Sequence, residues 1–148
     1  MIHSYLVFLL SGRLFGVKLL RAIEILPWRP SRSVPLSYSS VEGLIDYRGT
    51  VYPVVNIGRR LGMSRPEPAG SLAGTALADA AQSIILLEDN KMFFGITVDS
   101  VVKMAKLEEP STPPEMIPGV ETKYIQGIAY EDDQEILVLD FERLLHAG

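Results

Sequence analysis

Apolar positions along the chain come in short runs broken by turn residues, the pattern of strands rather than helices. Tyr5–Leu10 is a continuous apolar run, Ser11-Gly12 is a turn signal, and Leu14–Leu19 resumes with Phe, Val and Leu. That sequence predicts a hairpin. Ile84–Leu87, then Asp89-Asn90-Lys91, then Met92–Val98 predicts a second one, and Val51–Ile57 and Ile136–Phe141 are further strand-like runs. No segment sustains a helical stripe beyond about two turns, so the class is mainly β. Two short helices are still expected. Asn56 precedes Ile57–Leu61 with Gly62 behind it, and Asp140 precedes Phe141–Leu145. In each case a side-chain oxygen can accept from the free N–H groups of a first helical turn, and Gly62 suits the C′ position.

These pieces recur. Phe15-Gly16-Val17 through Ile25 aligns with Phe94-Gly95-Ile96 through Met104 at an offset of 79 residues. Val41-Glu42-Gly43 through Leu61 aligns with Ile125-Gln126-Gly127 through Leu145 at an offset of 84. The change of five is a difference in loop length. A repeat of this period predicts two similar modules in one domain, with halves at about 5–62 and 83–145, built as two small, intimately joined β-barrels. Between them, Met63–Gln82 is rich in Ala, Pro, Gly and Ser and is expected to be a loop. Glu109–Pro118, with four prolines, reads as an extended connector, and Arg29–Ser40 as a third irregular stretch.

Composition narrows the chemistry. At 148 residues, 47% hydrophobic and 22% charged, the chain is an ordinary globular protein. It has no cysteine, which excludes disulfides and thiol nucleophiles, and only two histidines, His3 and His146. A histidine-based zinc site or triad is not expected. The longest early apolar run is far short of the roughly 20 residues of a spanning helix, and no basic residue precedes it. A cytoplasmic protein without direct membrane insertion is the expectation. The net charge of −4 divides unevenly, +6 over residues 1–65 and −10 over 66–148. That excludes a uniformly basic nucleic-acid binder and suits two different contact faces.

No nucleophile elbow, phosphate loop, zinc helix or dinucleotide fingerprint is present, and no cofactor is expected. The acidic cluster Glu131-Asp132-Asp133 with Glu135 lacks the spacing of a calcium loop and reads as a hairpin turn. Asp99, without a second acid at a readable spacing, reads as a turn or cap residue. Arg48 stands out by comparison, because Arg48-Gly49 aligns with Asp132-Asp133. Both barrels cannot need an arginine there for folding. Its guanidinium either pairs with Asp46 or Glu24, or faces a partner.

Several segments together resemble the CheW family. They are Phe15-Gly16-Val17…Ile23-Glu24-Ile25, Val41-Glu42-Gly43-Leu44-Ile45-Asp46-Tyr47-Arg48-Gly49…Pro53-Val54-Val55-Asn56-Ile57 and Gly95-Ile96-Thr97-Val98-Asp99-Ser100-Val101. The ending Tyr124-Ile125-Gln126-Gly127…Leu139-Asp140-Phe141-Glu142-Arg143-Leu144-Leu145 belongs with them. The resemblance implies two intertwined five-stranded SH3-like β-barrels with a few short helices. It also implies a non-catalytic adaptor, recruited to receptor arrays, joining the regulatory domain of a CheA-type histidine kinase to chemoreceptor cytoplasmic tips. Carried over residue by residue, it places Ala22, Glu24, Gly43 and Arg48 at the partner-binding groove. Ala22 stands where the family commonly has valine, Asp46 where it has asparagine and Asn56 where it has aspartate. Two other readings share these residues. One is an adaptor for a related kinase pathway controlling pili or cyclic-dinucleotide synthesis. The other is a small-molecule-binding β-barrel with a deep polar pocket and a converging acid pair.

Overall fold

The computed structural model describes residues 1–32, 41–63, 82–89 and 92–146. Among these residues the order is β1 (Ile2–Leu10), β2 (Arg13–Lys18), β3 (Ala22–Pro27), β4 (Val41–Tyr47), β5 (Thr50–Val55), α1 (Ile57–Arg60), β6 (Ser83–Asp89), β7 (Met92–Val98), β8 (Ser100–Glu108), β9 (Ile125–Glu131), β10 (Gln134–Leu139) and α2 (Phe141–His146). The central part of the expected loop, residues 64–81, lies outside the described residues, as do 33–40 and the turn residues Asn90 and Lys91.

The strands form two five-stranded sheets, ordered β8-β1-β2-β10-β9 and β3-β6-β7-β5-β4. Each takes strands from both halves of the sequence, so the two SH3-like barrels are intertwined. The junctions are short parallel pairings, where Val54 lies opposite Gly95 and Val138 opposite Gly16. Each glycine lets a neighbour in: a Cβ on Gly16 would press on Ile136, and one on Gly95 on Ile84 and Leu86.

Burial explains why the apolar runs are continuous rather than alternating. Tyr5 and Val7 of β1 fill one barrel with Ala105, Leu107, Ala129, Ile136 and Val138. Ile84 and Leu86 of β6 fill the other with Ile45, Tyr52 and Val54. The intervening Leu6, Phe8 and Leu10 of β1, with Ile85 and Leu87 of β6, turn the other way into a third core shared by both sheets. A strand buried on both faces has no polar face to alternate with.

The turns follow the expected chemistry. Ser11 and Gly12 take φ of 49° and 78°, Arg48 and Gly49 take 49° and 82°, and Asp132 and Asp133 take 48° and 67°. Positive φ at both central residues is the type I′ geometry that matches strand twist in two-residue hairpins. Asn56 Oδ1 accepts from Arg59 N at 3.0 Å, and Asp140 Oδ1 from Arg143 N at 3.2 Å. Gly62, at φ 71°, donates to Arg59 O while Met63 donates to Gly58 O, closing α1 with a Schellman motif.

Candidate partner-binding groove

Where β3 and β8 approach each other, a groove of about 310 Å³ opens between the barrels. Its floor is Leu6 and Leu19, one side is Ala22, Ile23, Glu24 and Ile25, and the other is Val101, Lys103 and Met104. β-bulges shape both sides. Ala22 pairs with Leu87 and Glu24 with Leu86, leaving Ile23 as the extra residue. Val101 pairs with Phe8 and Lys103 with Val7, leaving Val102 extra. A bulge re-aims the side chain it carries, and here it turns an apolar one outward. Ile23 is 40% exposed, Val102 48%, and Met104 68%. Ile25 is exposed too, so Ile23, Ile25 and Met104 line the groove with apolar surface that the other described residues leave uncovered.

Glu24 is tied into the barrel edge. Tyr47 on β4 donates its hydroxyl to Glu24 Oε2 at 3.0 Å, bridging β3 and β4. The guanidinium of Arg48 lies 5.3 Å from the centroid of the Tyr47 ring, a cation–π contact. Burial and the Glu24 hydrogen bond both raise the Tyr47 pKa, while the Arg48 charge acts against them. Across the groove, Lys103 pairs with Glu131 on β9, bridging the edge of the other barrel.

The four residues expected at the groove therefore have three different placements. Ala22 and Glu24 line it. Arg48 stands at the exposed β4–β5 turn and reaches Glu24 only through Tyr47. Neither ion pair expected for Arg48 is formed among the described residues: Asp46 pairs with Arg32 at 3.2 Å, and Glu24 accepts from Tyr47. Gly43 is buried, and a Cβ there would collide with the carbonyl oxygen of Arg32. Sequence reasoning did not single out Tyr47, Lys103 or Met104. The offset alignment held the signal for one of them, since it sets Lys103 against Glu24.

A larger cleft, about 510 Å³, is lined by Trp28, Glu42, Asn56, Arg59, Thr97 and Asp99 among others. Its carboxylates are already engaged. Glu42 accepts from Asn56 Nδ2 at 3.1 Å and Thr97 Oγ1 at 3.3 Å, and Asp99 Oδ2 accepts from Ser11 N at 2.8 Å. Asp99 thus caps the β1–β2 turn. Among the described residues no group of three or more His, Asp or Glu side chains could hold a metal ion, and no helix is long and apolar enough to cross a membrane.

A family model for the CheW-like domain matches residues 4–148. The chain is 26% identical over 141 residues to a chemotaxis protein CheW of Treponema pallidum, covering 93% of this chain and 78% of that one. It is 26% identical over 144 residues to a probable chemotaxis protein CheW of Rhizobium etli, covering 96% and 86%. The crystal structure of the scaffolding protein TtCheW from Thermoanaerobacter tengcongensis has the same fold, with a TM-score of 0.83 at 24% identity over 100% of this chain and 90% of that one. With a family match that runs from within β1 through α2, the chain belongs to the CheW-like domain family.

Proposed function

We propose that this chain is a cytoplasmic, non-catalytic adaptor of a chemotaxis pathway, coupling the cytoplasmic tips of chemoreceptors to a CheA-type histidine kinase. The observation that carries this reading is the apolar groove between β3 and β8, which the other described residues leave uncovered, with Glu24 on its lip and Arg48 linked to Glu24 through Tyr47. A receptor hairpin tip can lay the apolar face of a helix into such a groove. The kinase regulatory domain, CheW-like by the same family resemblance, would meet an exposed barrel surface. Each contact can be weak, because an array multiplies contacts through effective concentration. Control of kinase activity then requires contacts that differ between its on and off states.

The engaged carboxylates of the larger cleft favour this reading over a pocket enzyme. The names of the curated relatives favour chemotaxis over the related kinase pathways. Co-sedimentation of the purified chain with receptor cytoplasmic fragments on vesicles, with and without the resident kinase, tests the proposal. Binding to both, with kinase activity dependent on the chain, is the expected result. Failure to bind either partner would overturn it.

A further inference from the structure

The two lips of the groove are built alike but charged differently. Glu24 on β3 and Lys103 on β8 both line it and lie at the 79-residue offset of the two halves. Each is clasped across a barrel edge by a residue of a neighbouring strand, Tyr47 or Glu131, and these lie at the 84-residue offset. The clasps differ in their electrical consequence. Lys103 is held by a carboxylate, and that ion pair cancels most of its field. Glu24 is held by a neutral hydroxyl and by the Ile25 N–H, so among the described residues no ion pair cancels its carboxylate charge at the lip. Arg48 does not neutralise it directly, since its guanidinium lies over the Tyr47 ring and makes no ion pair with Glu24 among the described residues.

The apolar lining, by contrast, is nearly symmetric. Ala22 corresponds to Val101 and Ile25 to Met104, all four lining the groove, and Ile23 in the lining corresponds to Val102, which is exposed beside it on the β8 bulge. A helix laid along the groove buries similar apolar surface in either of two directions, related by exchanging the barrels. Apolar contact alone chooses poorly between them, whereas charge complementarity fixes register and rejects wrong partners. We infer that Glu24, clasped by the neutral Tyr47, sets the direction of the bound helix by selecting a partner with a lysine or arginine beside its apolar face at the β3 lip. This rests on the groove reading proposed above and assigns it an occupant of stated chemistry. Tyr47 acts in it as a positioning residue.

Two synthetic helical peptides with the same leucine face, one flanked by lysines and the other by glutamates, test the inference. Each is titrated into the isotopically labelled full chain, and amide shifts are followed on β3 and β8. The lysine peptide should bind about fivefold more tightly, the scale of one partly exposed charge pair. Glu24→Gln should erase that preference. Tyr47→Lys should erase it too, although the carboxylate remains, because it gives this barrel edge an ion pair like that of the other. Removing the opposite pair as a unit, with Lys103→Gln and Glu131→Gln together, should leave the preference in place. Equal or reversed binding by the wild type, or a preference that survives Glu24→Gln, would overturn the inference while leaving the groove as a docking site. No shift on β3 or β8 with either peptide would overturn the groove reading and the inference with it.

Discussion

Arg60 donates from its guanidinium to the backbone carbonyl of Leu144, 2.6 Å away. The two positions are separated by the 84 residues at which the sequence halves align. The same helical position in each half therefore meets its counterpart, arginine on α1 and a last-turn carbonyl on α2. Such carbonyls have no intrahelical donor and favour a cation. Burial lowers the Arg60 pKa, so desolvation offsets part of the gain.

Replacing Arg60 tests how far this contact ties α2 down. A hydrogen bond from a charged donor contributes about 2 kcal/mol, and Arg60→Ala should cost roughly that in chemical denaturation. Arg60→Lys should recover only part, because an ammonium is a more strongly hydrated, less pre-organised donor. Loss of α2 amide protection before global unfolding would show the contact acting locally.

Gly43 is among the residues expected at the partner-binding groove, but its surroundings are those of a packing residue. The backbone of Arg32 exchanges two hydrogen bonds with Leu44, at 2.8 and 2.9 Å, and crosses directly over Gly43. Ser111 does the same with Ile128, both bonds at 2.9 Å, and crosses over Gly127. A Cβ at either glycine would collide with a carbonyl oxygen, and backbone cannot rotate away as a side chain can. Gly43→Ala and Gly127→Ala should each destabilise by about 2 kcal/mol, the usual scale of overpacking. If partner affinity per folded molecule is unchanged in Gly43→Ala, the residue serves the fold alone. A Tm equal to wild type would refute the packing role.

How far the sequence could be read followed from burial. The runs within β1, β5, β6, β7 and β10 were visible because both faces of much of each strand are apolar, and the α1 and α2 caps because Asn56 and Asp140 are the right residues in the right place. β3 and β8 did not announce themselves as strands. They border the groove, where bulges at Ile23 and Val102 break the two-residue period and leave apolar side chains in solvent. Glu24 and Arg48 were legible only through resemblance to a family and the internal offset. The residue joining them was not: a tyrosine at the end of a strand reads as core until its hydroxyl is seen to reach another strand.

Tyr5 offers a test of the barrel interior. Its side chain is fully buried, its hydroxyl has no hydrogen-bond partner among the described residues, and the matching position in the other barrel is Ile84. Leaving a buried hydroxyl unpaired costs about 1 kcal/mol or more, so Tyr5→Phe should keep or raise stability by about that amount. Tyr5, Tyr47 and Tyr52 all have pKa values raised above the ordinary 10.0, mainly by burial. Tyrosines of the unfolded chain therefore ionise first. The stability these groups contribute is fully present below pH 10 and is lost as pH rises through the folded values. Tyr5→Phe should shallow that alkaline loss, and an identical pH profile would refute the assignment.

Arg48 carries the last test, because its backbone and side chain pull in opposite directions. At φ 49° it occupies the left-handed region, which costs an ordinary L-residue roughly 1–2 kcal/mol and suits asparagine or glycine better. The aligned Asp132 has almost the same φ, 48°, with a short side chain that tolerates it. An arginine held there is unfavourable for the hairpin backbone, and the proposed partner contact of its guanidinium is what this test addresses. Arg48→Asn should therefore keep or raise Tm, by a few degrees at most. It should also weaken receptor or kinase binding by about 2 kcal/mol, near thirtyfold, as expected when a charge-assisted contact at an interface is removed. Arg48→Ala should weaken binding equally without the gain in Tm, since alanine does not relieve the backbone. Combining either change with Glu24→Lys asks whether the two residues share one surface, and less than additive losses are the expected answer. A large fall in Tm with unchanged affinity per folded molecule would make Arg48 a structural residue, its cation–π contact with Tyr47 serving the hairpin alone.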